Sequence, residues 1–95
     1  MDSPSAPKAR PGACDPSGAL SDILRESRHE AGLPQRELAR RIGRAPSHVA
    51  MIECGRRRVD TLEFYRIARA LEIEPADLFS RVAREIDRVE TGLPT

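Results

Sequence analysis

The sequence predicts an all-α fold of five helices, and three observations carry that prediction. Apolar residues recur at spacings of three and four along most of the chain after residue 15. Gly32, Gly43 and Gly55, with Pro34, Pro46 and Pro75, punctuate that rhythm at positions suited to helix ends and starts. Gln35 to Glu53 then compresses a helix, a glycine turn and a second helix into about twenty residues. With 95 residues, 39% apolar and 33% charged, the chain has the balance of one small globular domain. Phe64, Tyr65 and Phe79 are the only aromatics, so the core must be aliphatic.

Met1 to Cys14 holds Pro4, Pro7 and Pro11 without apolar periodicity, and is expected to be a disordered arm (residues 1–14). A folded domain should span 15–80, with a C-terminal helix at 75–91 continuing it. Asp15-Pro16 suits a helix start, after which Leu20, Ile23, Leu24, Ser27 and Ala31 trace one face up to Gly32. Leu33 should reach back into the core. The second helix begins near Pro34 and turns Leu38, Ala39 and Ile42 inward. Gly43 follows its last apolar position, where a left-handed residue without a Cβ closes a helix. Pro46 opens the third helix at a first-turn position, where its missing N–H costs nothing. Val49 and Ile52 give that helix its inner face.

Asp60 should cap a fourth helix whose Leu62, Phe64, Ile67, Ala68 and Leu71 enter the core, with Tyr65 at the margin. Pro75 opens the last helix, expected to run to about Thr91. Its Phe79, Val82, Ile86, Val89 and Leu93 are spaced three, four, three and four, an a/d seam. So long a helix overshoots so small a core. The seam either folds back over the first helix or meets its copy in a second chain, and the dimer is the favoured reading.

Net charge is only +1, but it is polarised along the chain. Leu33 to Arg69 holds nine Arg against four acids, or +5, whereas Ala70 to Thr95 holds three Arg against six acids, or −3. The excess positive charge coincides with the helix pair and the segment after it, where attraction to phosphates would be useful. Arg56, Arg57 and Arg58 form its densest part, and three adjacent guanidiniums call for an anionic partner or full solvation.

Other chemistries lack the residues they need. Cys14 and Cys54 have no His or Cys at metal-ligand spacing, so reduced thiols and no metal are expected. His29 and His48 have no local carboxylate or thiol partner, and no Gly-rich phosphate loop exists, so neither an enzyme nor a cofactor is expected. There is no membrane-length apolar run and no signal-peptide h-region, which predicts a cytoplasmic protein.

Residues 24–71 carry the elements A-G-L-x-Q-x-x-L-A, the turn Gly43, I-E-x-G and I-A-x-A-L. Together they resemble the Cro and phage-repressor class of helix-turn-helix regulators, the XRE-like family. The resemblance covers about half the chain and extends through Leu78. It implies a five-helix, lambda-repressor-like domain binding a two-fold operator as a homodimer, with the third helix in the major groove. It also implies that Gln35 bonds a phosphate and that Arg28 pairs with Glu53. The base-facing positions become Pro46, Ser47, Ala50 and Met51, with His48 alongside. From charge, Arg36, Arg44 and Arg56–Arg58 are the expected phosphate contacts, and from spacing Phe79, Val82, Ile86 and Val89 are the expected dimer seam.

Two departures stand out. Relatives often carry Gln, Lys, Arg or Asn at the base-reading positions, where each bidentate contact discriminates by roughly 1–3 kcal/mol. Pro46, Ala50 and Met51 can make none, so shape and dimer spacing become more important to recognition. Glu72 replaces the glycine that usually ends the fourth helix, which raises the expectation of a differently built turn. The functional expectation is a double-stranded-DNA-binding transcriptional regulator, repressing or autoregulating. The alternative is a protein-interaction module or antitoxin component, with a protein partner such as a toxin on the same fold.

Overall fold

The computed structural model describes residues 16–91, so the N-terminal arm (1–14), the Asp15 cap and Leu93 lie outside the described residues. Within them the chain forms α1 (Pro16–Glu30), α2 (Gln35–Ile42), α3 (Pro46–Glu53), α4 (Thr61–Ala70) and α5 (Pro75–Thr91). No strand occurs among the described residues.

The punctuation works as its chemistry requires. Gly43 takes φ 72° and ψ 36°, and its N–H and that of Arg44 close the end of α2 on the Arg40 and Ala39 carbonyls. Asp60 caps α4 by accepting the Glu63 N–H at 2.8 Å. α4 ends on a left-handed residue too, but that residue is Glu72, at φ 61°. The Ile73 N–H reaches the Ala68 carbonyl at 2.9 Å and the Glu72 N–H reaches Arg69 at 3.0 Å. The turn is therefore the ordinary left-handed closure, made with a residue whose Cβ strains it, and the expectation of a different construction is corrected.

All five helices contribute to one aliphatic core: Ile23 and Leu24 from α1, Leu38 and Ala39 from α2, and Val49 and Ile52 from α3. Ile67, Ala68 and Leu71 join from α4 and its end, and Leu78 and Val82 from α5. Each large member removes a side chain from water, worth about 1.5–3 kcal/mol when complete. Leu33 and Phe64 pack against its edge.

Three placements differ from the sequence expectation. α1 stops at Glu30, so Ala31 falls in the turn and is exposed. Leu62 is 55% exposed. It lies about 200° around the helix from Phe64, opposite the face that Ile67 and Leu71 bury. The third concerns the seam. α5 packs along α1 and also touches α4, leaving Val82 1% exposed. Val82 is therefore a core residue of its own chain and cannot face a partner, and Ile86 packs partly against that core as well. Phe79 stays 55% exposed and meets Phe64 edge-on, ring centroids 6.0 Å apart. Among the described residues no helix is long and apolar enough to cross a membrane.

Candidate nucleic-acid interface

α3 owes its position to a buried polar junction. The Arg28 guanidinium, on α1, donates to the Glu53 carboxylate through Nε at 2.6 Å and Nη2 at 2.9 Å. Its Nη1 donates to the Leu33 carbonyl at 2.7 Å. The side chains are only 7% and 4% exposed, so both charges have left water and depend on each other. Gln35 completes the junction, its Nε2 donating to Glu53 Oε1 at 3.0 Å. The Gln35 amide nitrogen carries a second N–H besides the one it gives to Glu53, so the phosphate role expected of Gln35 stays a proposal. One carboxylate at the end of α3 gathers donors from α1 and from the start of α2, which fixes the angle at which α3 leaves the body.

With its inner side held by Val49, Ile52 and Glu53, α3 leaves Pro46, Ser47 and Met51 exposed and Ala50 half-buried. No other described segment covers this side. His48 behaves differently. Its Nε2 lies 2.7 Å from Glu63 Oε2 on α4, and its side chain is 12% exposed. The ring faces α4, and the base-facing role expected of His48 stays a proposal. Glu63 also accepts from Arg44 Nε at 3.3 Å, so the turn between α2 and α3 is tied to α4 at the same carboxylate.

The cations separate into engaged and free groups. Arg40 and Arg41 both donate to Glu37, at 2.5 to 3.0 Å. Their hydrogen bonds hold the Glu37 carboxyl at about 2, well below its ordinary 4.5. Arg36, Arg56, Arg57, Arg58 and Arg66 are all exposed. Among the described residues their side chains make no hydrogen bond or ion pair. The structure thus brings the Arg56–Arg58 trio directly past the C-terminal end of α3, with Arg36 at the start of α2. Two members of this surface were missed in the sequence, Glu63 and Arg66. Arg66 was findable: it stands four residues after Leu62, on the side of α4 that the correct helical phase turns outward. Among the described residues no group of His, Cys, Asp and Glu could hold a metal ion.

Residues 19–81 match the family model described as a helix-turn-helix domain. No curated protein matches the chain. Solved structures do. The XRE-family like protein from Pseudomonas syringae pv. tomato is 39% identical over 73% of this chain and 84% of its own, with a TM-score of 0.67. The restriction-modification controller protein C.AhdI from Aeromonas hydrophila is 38% identical over 66% and 96%, with a TM-score of 0.62. The clp gene regulator ClgR from Corynebacterium glutamicum is 29% identical over 73% and 90%, also with a TM-score of 0.67.

Proposed function

The chain belongs to the XRE/Cro-type helix-turn-helix family of DNA-binding transcriptional regulators, and from that premise we propose that it is a homodimeric repressor or autoregulator. α3 enters the major groove, and Ser47, Ala50 and Met51 lie against base edges. Arg36, Arg44 and the Arg56–Arg58 trio grip the flanking strands. The observation that carries this reading is the open outer side of α3 beside the trio, whose guanidiniums meet no acid among the described residues. A surface of that kind gains most from a polyanion, which it binds by releasing condensed counterions.

Ser47 offers one hydroxyl, while Ala50 and Met51 offer methyl-sized contacts suited to thymine. Direct readout is therefore sparse, and the spacing of two half-sites supplies part of the specificity. The dimer contact is assigned to the apolar groove of about 720 Å³ between α4 and α5, with Phe79 and Tyr65 at its rim. Exposed aromatics beside an apolar groove favour association over solvation. Selection of bound duplexes from a random pool at near-physiological salt tests the proposal. A two-fold consensus supports a dimeric regulator. Enrichment of no sequence, together with binding that ignores salt, would instead favour a protein-interaction module.

A further inference from the structure

Beside α3 lies a groove of about 410 Å³ formed by the turn before α3, the segment after it and α4. Arg44, Arg57, Arg58 and Arg66 line it, with Asp60 and Glu63 as its acids. The acids are already occupied. Asp60 accepts the Glu63 N–H as the cap of α4. One oxygen of Glu63 holds both His48 and Arg44. Arg57, Arg58 and Arg66 converge on the groove, and none of them pairs with an acid among the described residues. Glu63 is 12% exposed and Arg44 47% exposed, so the carboxylate is set inside and the guanidinium can swing outward.

We infer that this groove seats a DNA backbone phosphate beside α3, with Arg66 as a further phosphate-binding residue and Glu63 as an internal anion competing for Arg44. The inference rests on the regulator reading and adds to it a residue on α4 and an opposing charge. A phosphodiester presents two unesterified oxygens and one negative charge, which matches guanidinium forks approaching from different sides. When it enters, Arg44 exchanges Glu63 for the phosphate, and Glu63 stays with His48. The exchange loses one ion pair and makes another, so Arg44 adds little net affinity while Glu63 is present. Glu63 also repels the incoming charge. It thereby lowers affinity for every duplex alike, whatever its sequence.

The test uses the full chain and a mixed-sequence duplex of about 30 base pairs, long enough for two half-sites, with binding measured across a salt series. Arg66→Ala is expected to weaken binding to all duplexes and to reduce the slope of log K against log salt by about 0.9, with Arg66→Lys restoring the slope. Glu63→Gln keeps an acceptor for His48 and removes the charge. It is expected to tighten binding by about threefold or more, the range of a part-exposed ion pair. Circular dichroism of each variant confirms the helical fold. Wild-type binding with an unchanged slope in Arg66→Ala, or weaker binding in Glu63→Gln, overturns the phosphate seat. Wild-type protein that fails to bind the duplex at low salt overturns the regulator reading instead.

Discussion

Replacing Arg28 by Met should cost far more than the loss of one surface charge. The Glu53 carboxylate accepts two hydrogen bonds from Arg28 and one from Gln35, and its side chain is 4% exposed. Without Arg28 it keeps only the Gln35 amide and remains a buried, unpaired charge. Such losses cost about 3–5 kcal/mol. A domain spanning residues 16–91 has a total stability of about 4–11 kcal/mol at roughly 0.05–0.15 kcal/mol per residue. The single variant should therefore lose about half its stability, and Glu53→Leu, which strands the guanidinium, should do the same. The double variant Arg28→Met with Glu53→Leu removes both charges together. It leaves the Leu33 carbonyl without its donor, a loss of about 1–3 kcal/mol, partly offset by the desolvation no longer required. The double should thus unfold closer to wild type than either single. Urea denaturation followed by circular dichroism gives the four free energies of the cycle. Arg28→Met within about 1 kcal/mol of wild type, or losses that simply add in the double, would refute the claim that this pair is coupled.

Glu72→Gly removes the Cβ from a left-handed residue at φ 61° and should stabilise the fold by about 1 kcal/mol, raising Tm by about 4–8 °C; an unchanged or lower Tm in thermal melts argues against strain there. Phe79→Ser should keep the helical content and lower the mass seen by light scattering towards a monomer, because Phe79 is exposed in its own chain. Val82→Glu, by contrast, should unfold the domain, because Val82 is 1% exposed; a folded monomeric Val82→Glu variant would show that the core was misassigned. The Glu37 carboxyl should titrate at about 2 by NMR. Its folded pKa is depressed, so its contribution to stability is present above 4.5 and is lost as pH falls through about 2. A midpoint near the ordinary value would mean that the Arg40 and Arg41 contacts do not persist in solution.

Much of the fold was readable because single residues mark its corners. Gly43, Pro46, Asp60 and Pro75 each sit where backbone chemistry permits little else, and the helices they bound follow. Leu62 was misplaced by composition: a leucine near a helix start reads as core until its angle to Phe64 is worked out. The a/d spacing of Phe79, Val82 and Ile86 was legible, but spacing alone does not say whose side chains fill the seam. α1 packs against α5 and takes Val82, while Phe79 stays outside. His48 could not be read locally, since its orientation is decided by Glu63, fifteen residues further on. Gln35 was drawn inward in the same way, by Glu53, eighteen residues away. The candidate surface was thus visible as a stretch of chain, and the division of its side chains between inside and outside required the tertiary contacts.

The proposed nucleic-acid surface joins the outer side of α3 to the neighbouring guanidiniums. The most direct measurement is a heteronuclear NMR titration of the full chain with the duplex selected from the random pool. The largest shift changes are expected on Ser47, Ala50 and Met51 and on Arg36, Arg44 and Arg56–Arg58, with the inner faces of α1 and α5 little affected. Changes concentrated on Phe79, Tyr65 and the α4–α5 groove, with α3 silent, would contradict it.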